Sequence, residues 1–205
     1  MIGYYNYTVY LTYIGMLSST VGIMLAISGS IRTAVFCLLF SGLCDMFDGI
    51  VARTKKNRTE EEKGFGIQLD SLSDVICFGV FPAVLGFCSG ATKVWQMAVM
   101  ALFALAGLIR LAYYNVTEEA RQKETAEKRK HYLGVPITSS ALTVPIVFCF
   151  RKLLGASFPL VYTLILLLNG LCFILPIQVK KPGRAGLAAM LVIGLIMGVF
   201  ILMNK

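Results

Sequence analysis

Hydrophobic residues fall into seven long runs, separated by short polar or charged connections. The runs are Thr12–Ser28, Thr33–Ala52, Gly66–Cys88, Val94–Tyr114, Leu133–Phe150, Phe158–Ile177 and Ala185–Met203. Each is close to the roughly 17–25 residues that an α-helix needs to cross a bilayer core. Because lipid offers no partners for open backbone groups, a helix is the expected structure for every run. The pattern predicts seven membrane-spanning helices.

Only 15% of the 205 residues are charged, whereas 57% are hydrophobic. Soluble globular proteins average about 25% and about 45–50%. So few charges cannot cover a folded globule in water, which excludes a disordered chain, a collagen-like fibre and a cytosolic enzyme. We therefore expect an all-α polytopic membrane bundle in a single membrane-embedded domain over residues 1–205. Six core helices lie within 11–182, and a seventh span covers 185–203.

The basic residues fall mainly on one side of the predicted bundle. That side carries Arg53, Lys55, Lys56, Arg58, Lys63, Arg121, Lys123, Lys128, Arg129, Lys130, Lys180, Lys181 and Arg184, and the other carries Arg32, Lys93, Arg151, Lys152 and Lys205. The positive-inside rule places the richer side, and the N-terminus with it, in the cytoplasm of a multi-pass plasma-membrane protein. Membrane topology thus explains the net charge of +8, and no nucleic-acid partner is expected.

The tyrosine-rich segment Met1–Leu11 precedes the first hydrophobic run. It contains no Lys or Arg, and no small-residue cleavage site follows the run, so a cleaved signal peptide is not expected. Aromatic side chains concentrate at the headgroup level of a bilayer. We expect this segment to lie in the membrane interface, although a frayed tail is the alternative.

Four acidic residues lie in or at the ends of hydrophobic runs, which makes them the most informative feature of the sequence. Asp45 and Asp48 share one face of the second predicted helix, and Asp70 and Asp74 share one face of the third. An acid at the centre of a membrane helix costs about 2.5–3.5 kcal/mol on insertion scales. Because the two helices are consecutive and antiparallel, all four carboxylates converge near the cytoplasmic surface.

Clustered carboxylates repel one another unless cations lie among them. An oxygen-rich cluster suits Mg²⁺ or Mn²⁺, and two such ions would neutralise four carboxylates. Two alternatives stay open, namely acids that reach separately into the headgroups and an ion or proton pathway of a cation transporter. Gly49, Ala52, Arg53 and Gly66 lie beside the acids, where glycine lets a ligand approach the backbone and arginine offers a planar fork to a phosphate.

The run Asp45-x-x-Asp48-Gly49-x-x-Ala52-Arg53, followed by Gly66-x-x-x-Asp70-x-x-x-Asp74, resembles the signature of the CDP-alcohol phosphotransferases. All eight signature positions are filled, although the segment between Arg53 and Gly66 is longer than the family's usual spacing. Within the family, the stretches 65–83, 110–115 and 133–137 are most similar to the phosphatidylserine synthases. The resemblance covers roughly residues 11–182.

The resemblance implies a metal-dependent transfer of the phosphatidyl group from CDP-diacylglycerol to the hydroxyl of L-serine, with release of CMP. Inositol phosphate and glycerol phosphate are the alternative acceptors. It assigns Asp45, Asp48, Asp70 and Asp74 as metal ligands, and it assigns the CDP-diacylglycerol site to Asp48, Gly49, Ala52, Arg53, Gly66 and Asp70. Membrane lipids surround the enzyme, which the family pattern makes a homodimer.

Two polar residues outside the signature are further candidates. Arg110 and Asn115, at the end of the fourth run, are predicted to hold the serine carboxylate or a phosphate. The alternatives are neutralisation of an aspartate by Arg110 and helix capping by Asn115. A serine hydroxyl needs a base, and His131 lies away in a charged loop. If the other three aspartates are metal ligands, as the resemblance implies, Asp74 is the expected base.

Overall fold

The computed structural model describes residues 2–124, 131–180 and 183–203. In chain order, the helices are α1 (Tyr10–Ile27), α2 (Ile31–Ala52), α3 (Glu60–Asp74), α4 (Phe81–Cys88), α5 (Val94–Glu124), α6 (Ser140–Cys149), α7 (Arg151–Leu154), α8 (Phe158–Ile174) and α9 (Arg184–Met203). A wide π-helical turn over Val75–Val80 joins α3 to α4. Six helical stretches in the described part of the chain are long and apolar enough to cross a membrane. The predicted all-α membrane bundle is confirmed.

The fifth hydrophobic run differs from its prediction. Its helical part is Ile137–Cys149, about 20 Å long at 1.5 Å per residue, whereas the prediction began at Leu133. Leu133 instead belongs to strand β1 (His131–Leu133), which pairs antiparallel with β2 (Gln178–Lys180). Gly134 turns the chain at φ +74°, and its N–H donates to the Ile177 carbonyl at 2.9 Å. The start of the run is thus used for pairing with the chain that follows α8.

Two helices extend further into the charged connections than the hydrophobic runs predicted. The third predicted span began at Gly66, but α3 begins at Glu60, where the Thr59 hydroxyl accepts from the Glu62 N–H at 3.1 Å and the Glu62 carboxylate accepts from the Thr59 N–H at 3.2 Å. This reciprocal capping box stabilises a helix start, as do acids in the first turn. The second helix is α5. The fourth hydrophobic run ended at Tyr114, but α5 continues to Glu124, and a 2.6 Å ion pair between Glu118 and Arg121 stabilises this extension.

The bundle core is built from close helix pairs. Helix α1 packs along α2, and α5 packs along α8. Gly22 permits the first approach, because a Cβ there would lie 2.7 Å from the Cys37 Cβ, and Gly170 permits the second, because its Cβ would lie 3.3 Å from the Phe103 Cα. Small residues allow such close backbone contact in membrane helices. The core between these pairs is fully buried and apolar, and includes Val35, Leu38, Phe78, Phe81, Leu85, Ile137 and Leu166.

The N-terminal segment contacts the start of α3. The Tyr4 hydroxyl donates to the Glu61 carboxylate at 2.9 Å, and the Asn6 amide donates to the Glu62 carboxylate at 3.2 Å. The bond to Glu61 raises the pKa of the Tyr4 phenol. A short 3₁₀ turn, Tyr7–Val9, then leads directly into α1. The segment is therefore anchored to the end of the bundle that carries the α2–α3 connection.

Candidate active site

The four aspartates of the signature lie together where α2 faces α3. Carboxylate oxygens of Asp45, Asp70 and Asp74 all lie within 4.8 Å of one another. Asp48 lines the same small space as these three residues. Asp74 is buried, and the other three are half-buried. The structure thus brings together every carboxylate that the sequence analysis singled out, and we call these four residues the acidic cluster.

Helical geometry explains this convergence. Asp45 and Asp48 are three residues apart near the end of α2, while Asp70 and Asp74 are four apart near the end of α3. Both spacings place a pair on one helix face. The N-terminus of α1 closes the third side, because Gly15 lets α1 approach α2 until its Cβ position lies 3.2 Å from the Cys44 Cβ.

Thr12 is a site residue that the sequence analysis missed. Its hydroxyl lies one turn before Gly15 on α1 and donates to the Asp48 carboxylate at 3.1 Å. A charge-assisted hydrogen bond of this kind holds a carboxylate in one orientation. The sequence feature that could have indicated Thr12 is a hydroxyl in the first turn of a hydrophobic run. The contact itself depends on how α1 packs against α2.

Helix α5 brings Arg110 and Asn115 to the same end of the bundle. Arg110 is 9% exposed, its positive charge acts on Asp45, and its guanidinium carbon lies 5.2 Å from the centre of the Tyr114 ring. The Asn115 amide donates to the Ser71 hydroxyl at 2.8 Å. Because α5 continues to Glu124, Asn115 lies inside the helix, so the capping alternative is wrong. Its side chain fixes α5 to α3 beside Asp70.

A cavity of about 700 Å³ opens beside the acidic cluster, within the size range of small-molecule sites. The signature residues Asp48, Gly49, Ala52, Gly66 and Asp70 line it. These residues come from the end of α2 and the middle of α3, so the cavity follows directly from the α2–α3 arrangement. It leads to the acidic cluster, because Asp48 and Asp70 belong to both.

The two arginines of the α2–α3 connection are placed differently. Arg53, the signature arginine, is exposed, and its Nε donates to the Gly49 carbonyl on its own helix at 2.8 Å. Its side chain does not line the cavity. Arg58, which the sequence analysis did not single out, does line it. The sequence feature that could have indicated Arg58 is its position in the lengthened segment before Gly66.

The acidic cluster has the chemistry of a divalent-cation site. Its donors are all carboxylate oxygens, the ligands that hard cations prefer. One guanidinium, that of Arg110, cannot balance four carboxylates. A space of about 10 Å³ among Thr12, Asp45, Asp70 and Asp74 matches the volume that a water-sized species needs. The residues therefore fit a small divalent cation.

Comparison with known proteins agrees with this geometry. The family model for CDP-alcohol phosphatidyltransferase matches residues 5–175. The match includes the acidic cluster, the cavity, and both Arg110 and Asn115. It ends before α9.

Several curated proteins are similar to the chain. It is 39% identical over 124 residues to the CDP-diacylglycerol–serine O-phosphatidyltransferase of Saccharomyces cerevisiae, covering 59% of this chain and 43% of that protein. It is 32% identical over 157 residues to the archaetidylserine synthase of Methanothermobacter thermautotrophicus, covering 75% and 63%. It is 34% identical over 134 residues to a CDP-diacylglycerol–serine O-phosphatidyltransferase of Helicobacter pylori, covering 64% of this chain and 51% of that protein. The chain thus spans about half the length of these relatives.

Proposed function

Since the chain belongs to the CDP-alcohol phosphatidyltransferase family, we propose that it transfers the phosphatidyl group of CDP-diacylglycerol to the hydroxyl of L-serine. The products are phosphatidylserine and CMP. The observation that carries the proposal is the convergence of all four signature aspartates beside one cavity. The relatives named for transfer to serine from a CDP-linked lipid favour serine as the acceptor.

The family is generally dependent on divalent cations, and the acidic cluster supplies a matching donor set. Asp45, Asp48, Asp70 and Asp74 would hold Mg²⁺ or Mn²⁺, and two ions would balance their charge. When bound, the ions neutralise the diphosphate and the departing CMP. Within the protein, the Thr12 hydroxyl keeps the Asp48 carboxylate oriented.

The chain's own residues then bind and orient the two substrates. Gly49, Ala52 and Gly66 leave room for the nucleotide in the cavity, because they present little or no side chain there. The serine oxygen forms a bond to the phosphorus that carries diacylglycerol, and the bond from that phosphorus to CMP breaks. The serine proton passes to Asp74, the buried member of the acidic cluster. Arg110 faces the serine carboxylate, which favours an amino acid over a neutral alcohol.

Membrane placement and assembly complete the proposal. The acidic cluster, the N-terminal segment and the α2–α3 connection share one end of the bundle, and the excess of Lys and Arg assigns that end to the cytoplasmic face of the plasma membrane. Residues 11–182 form the catalytic core of a single domain, and α9 adds a span. Two copies form a homodimer, as the family resemblance implies.

The decisive experiment measures CMP release by the purified protein in mixed micelles containing CDP-diacylglycerol. Serine, inositol phosphate and glycerol phosphate are supplied separately, each with Mn²⁺ or Mg²⁺. We expect CMP release when serine is the acceptor and none with the other two acceptors. If another acceptor reacts and serine does not, the acceptor is wrong while the transfer stands. If none reacts under conditions in which a known phosphatidylserine synthase is active, the proposed function is wrong.

A further inference from the structure

Arg58 lies in the α2–α3 connection and lines the cavity that also contains Gly49, Gly66 and Asp70. We propose that Arg58 binds the diphosphate of the cytidine nucleotide and determines the affinity for the CDP-linked substrate. This inference rests on the proposed function, because it takes the cavity as the nucleotide site. It adds a binding residue from outside the signature.

The guanidinium of Arg58 stands directly over Gly66. Its Nη2 lies 2.6 Å from the position that a Gly66 Cβ would take, so a larger residue at position 66 would displace the end of this side chain. Nη2 also donates to the Glu62 carbonyl at 3.1 Å. The Nε atom is buried and has no hydrogen-bond partner among the described residues. A buried N–H donor without a partner is costly, so the described residues leave part of the hydrogen-bonding capacity of this guanidinium unused.

The charge of Arg58 is also available. The ion pairs of the described residues do not include it, although Glu60 and Glu119 line the same cavity. An arginine that lines a cavity suits an anionic ligand, and its planar fork matches two phosphate oxygens. A diphosphate that reaches from the cavity to the acidic cluster would pass this group.

The loop holds Arg58 in place before any ligand binds. Glu62 caps α3 through Thr59, accepts from Lys55 at 2.8 Å and accepts from Asn6 at 3.2 Å. These contacts fix the turn that contains the Glu62 carbonyl, which accepts from the Arg58 Nη2. A side chain that is already ordered loses less entropy on binding. The lengthened connection therefore presents a fixed cation to the cavity, whereas the signature Arg53 turns back onto Gly49.

The test compares CDP binding by calorimetry in detergent with Mn²⁺ for wild type, Arg58→Ala, Arg58→Lys and Lys56→Ala. Lys56 is the matched control, because it is an exposed cation of the same connection outside the cavity lining. We expect Arg58→Ala to weaken CDP binding roughly ten- to hundredfold. Arg58→Lys should lose less, and Lys56→Ala should stay within about twofold.

Kinetics separate ligand binding from a merely structural role. If Arg58 binds the diphosphate, Arg58→Ala raises the KM for CDP-diacylglycerol and leaves the KM for serine and the melting temperature unchanged. Equal CDP affinity in Arg58→Ala and wild type would overturn the inference, as would parallel rises in both KM values with a lower melting temperature. If wild type itself binds no CDP, the proposed function fails instead.

Discussion

The two ends of the bundle differ in chemistry and are built from different helices. At the end of α2 and α3, the acidic cluster gathers four carboxylates beside an open cavity. At the other end, α4, α6 and α8 form an aromatic core, in which the Tyr162 ring centre lies 5.6 Å from that of Phe148 and 5.7 Å from that of Phe158. We call Phe148, Phe158 and Tyr162 the aromatic cluster. Phe81 and Leu85 are fully buried beside it.

This difference indicates a protein with chemistry on one side of the membrane. A cation transporter would need a polar route that continues past the acidic cluster, but Leu38, Phe81 and Leu85 close the core there. Near the aromatic cluster, the buried Gln96 amide donates to the Thr163 hydroxyl at 3.3 Å. The outer end therefore supplies a stable scaffold, and the inner end supplies the site.

The boundary between the two ends is the π-helical turn Val75–Val80. It begins directly after Asp74 and ends directly before Phe81. Such wide turns change the direction in which the following side chains point, and they occur often at functional sites. Here the turn allows one continuous span to present acids on α3 and aromatic packing on α4.

The largest effect should come from the acidic cluster. Asp45→Asn, Asp48→Asn and Asp70→Asn are each expected to lower CMP release by roughly a thousandfold or more, because a divalent cation loses a charged ligand. Chelation should abolish activity, and added Mn²⁺ should restore it. Glu61→Gln is the control, since the amide still accepts from Tyr4. Full activity in excess chelator would contradict the metal assignment.

Asp74→Asn should separate binding from turnover. If Asp74 accepts the serine proton, the variant keeps its affinity for CDP-diacylglycerol but loses roughly 10²–10⁴-fold in rate. Equilibrium binding and single-turnover CMP release measure the two effects. Asp70→Asn serves for comparison, because it should lose metal binding as well. A rate near that of wild type would show that Asp74 is not the base.

Gly66→Leu tests the cavity. The new side chain would meet the Arg58 guanidinium and fill the space for the nucleotide, so CDP affinity should fall roughly ten- to hundredfold while the protein stays folded. Gly194→Leu is the matched control, because no atom of the described residues lies within 4 Å of the Gly194 Cβ position on α9. Normal nucleotide binding by Gly66→Leu would show that the nucleotide lies elsewhere.

Arg110→Ala tests the acceptor site. We expect the KM for serine to rise by roughly tenfold, because a charge-assisted bond to its carboxylate is lost, while the KM for CDP-diacylglycerol changes little. Steady-state kinetics with each substrate varied in turn measure both values, and Arg110→Lys should recover part of the loss. An equal rise in both would instead indicate that Arg110 serves mainly to neutralise Asp45.

The sequence could predict the features that depend on local spacing. Run length identifies six of the seven predicted spans, since the fifth run forms only a shorter helix, and the i,i+3 and i,i+4 spacings of the aspartates place them on facing surfaces. The Thr12–Asp48 bond was not predictable, because it requires Gly15 to bring α1 against α2. Nor was the β1–β2 pairing, which joins segments that lie far apart in the sequence.

Arg58 shows a second limit of sequence analysis. Its charge counts toward membrane topology like that of any loop cation. Two contacts single it out as a binding residue: its guanidinium lies over Gly66, and it donates to the Glu62 carbonyl in the capped turn. Both depend on how the chain packs. In the same way, Tyr162 lies in a hydrophobic run, and only the structure shows that its hydroxyl donates to the Pro82 carbonyl.

Tyr162→Phe should give the smallest effect on activity and test the scaffold role of the outer end. The buried hydroxyl donates to the Pro82 carbonyl at 2.7 Å, and its loss removes one buried hydrogen bond, at a cost of about 0.5–1.5 kcal/mol in the free energy of unfolding. The melting temperature in detergent should fall, while CMP release per folded protein stays at the wild-type level. Tyr113→Phe, at an exposed position of α5, should change neither. If Tyr162→Phe lowers the turnover of folded protein, the two ends are coupled, and the outer end is more than a scaffold.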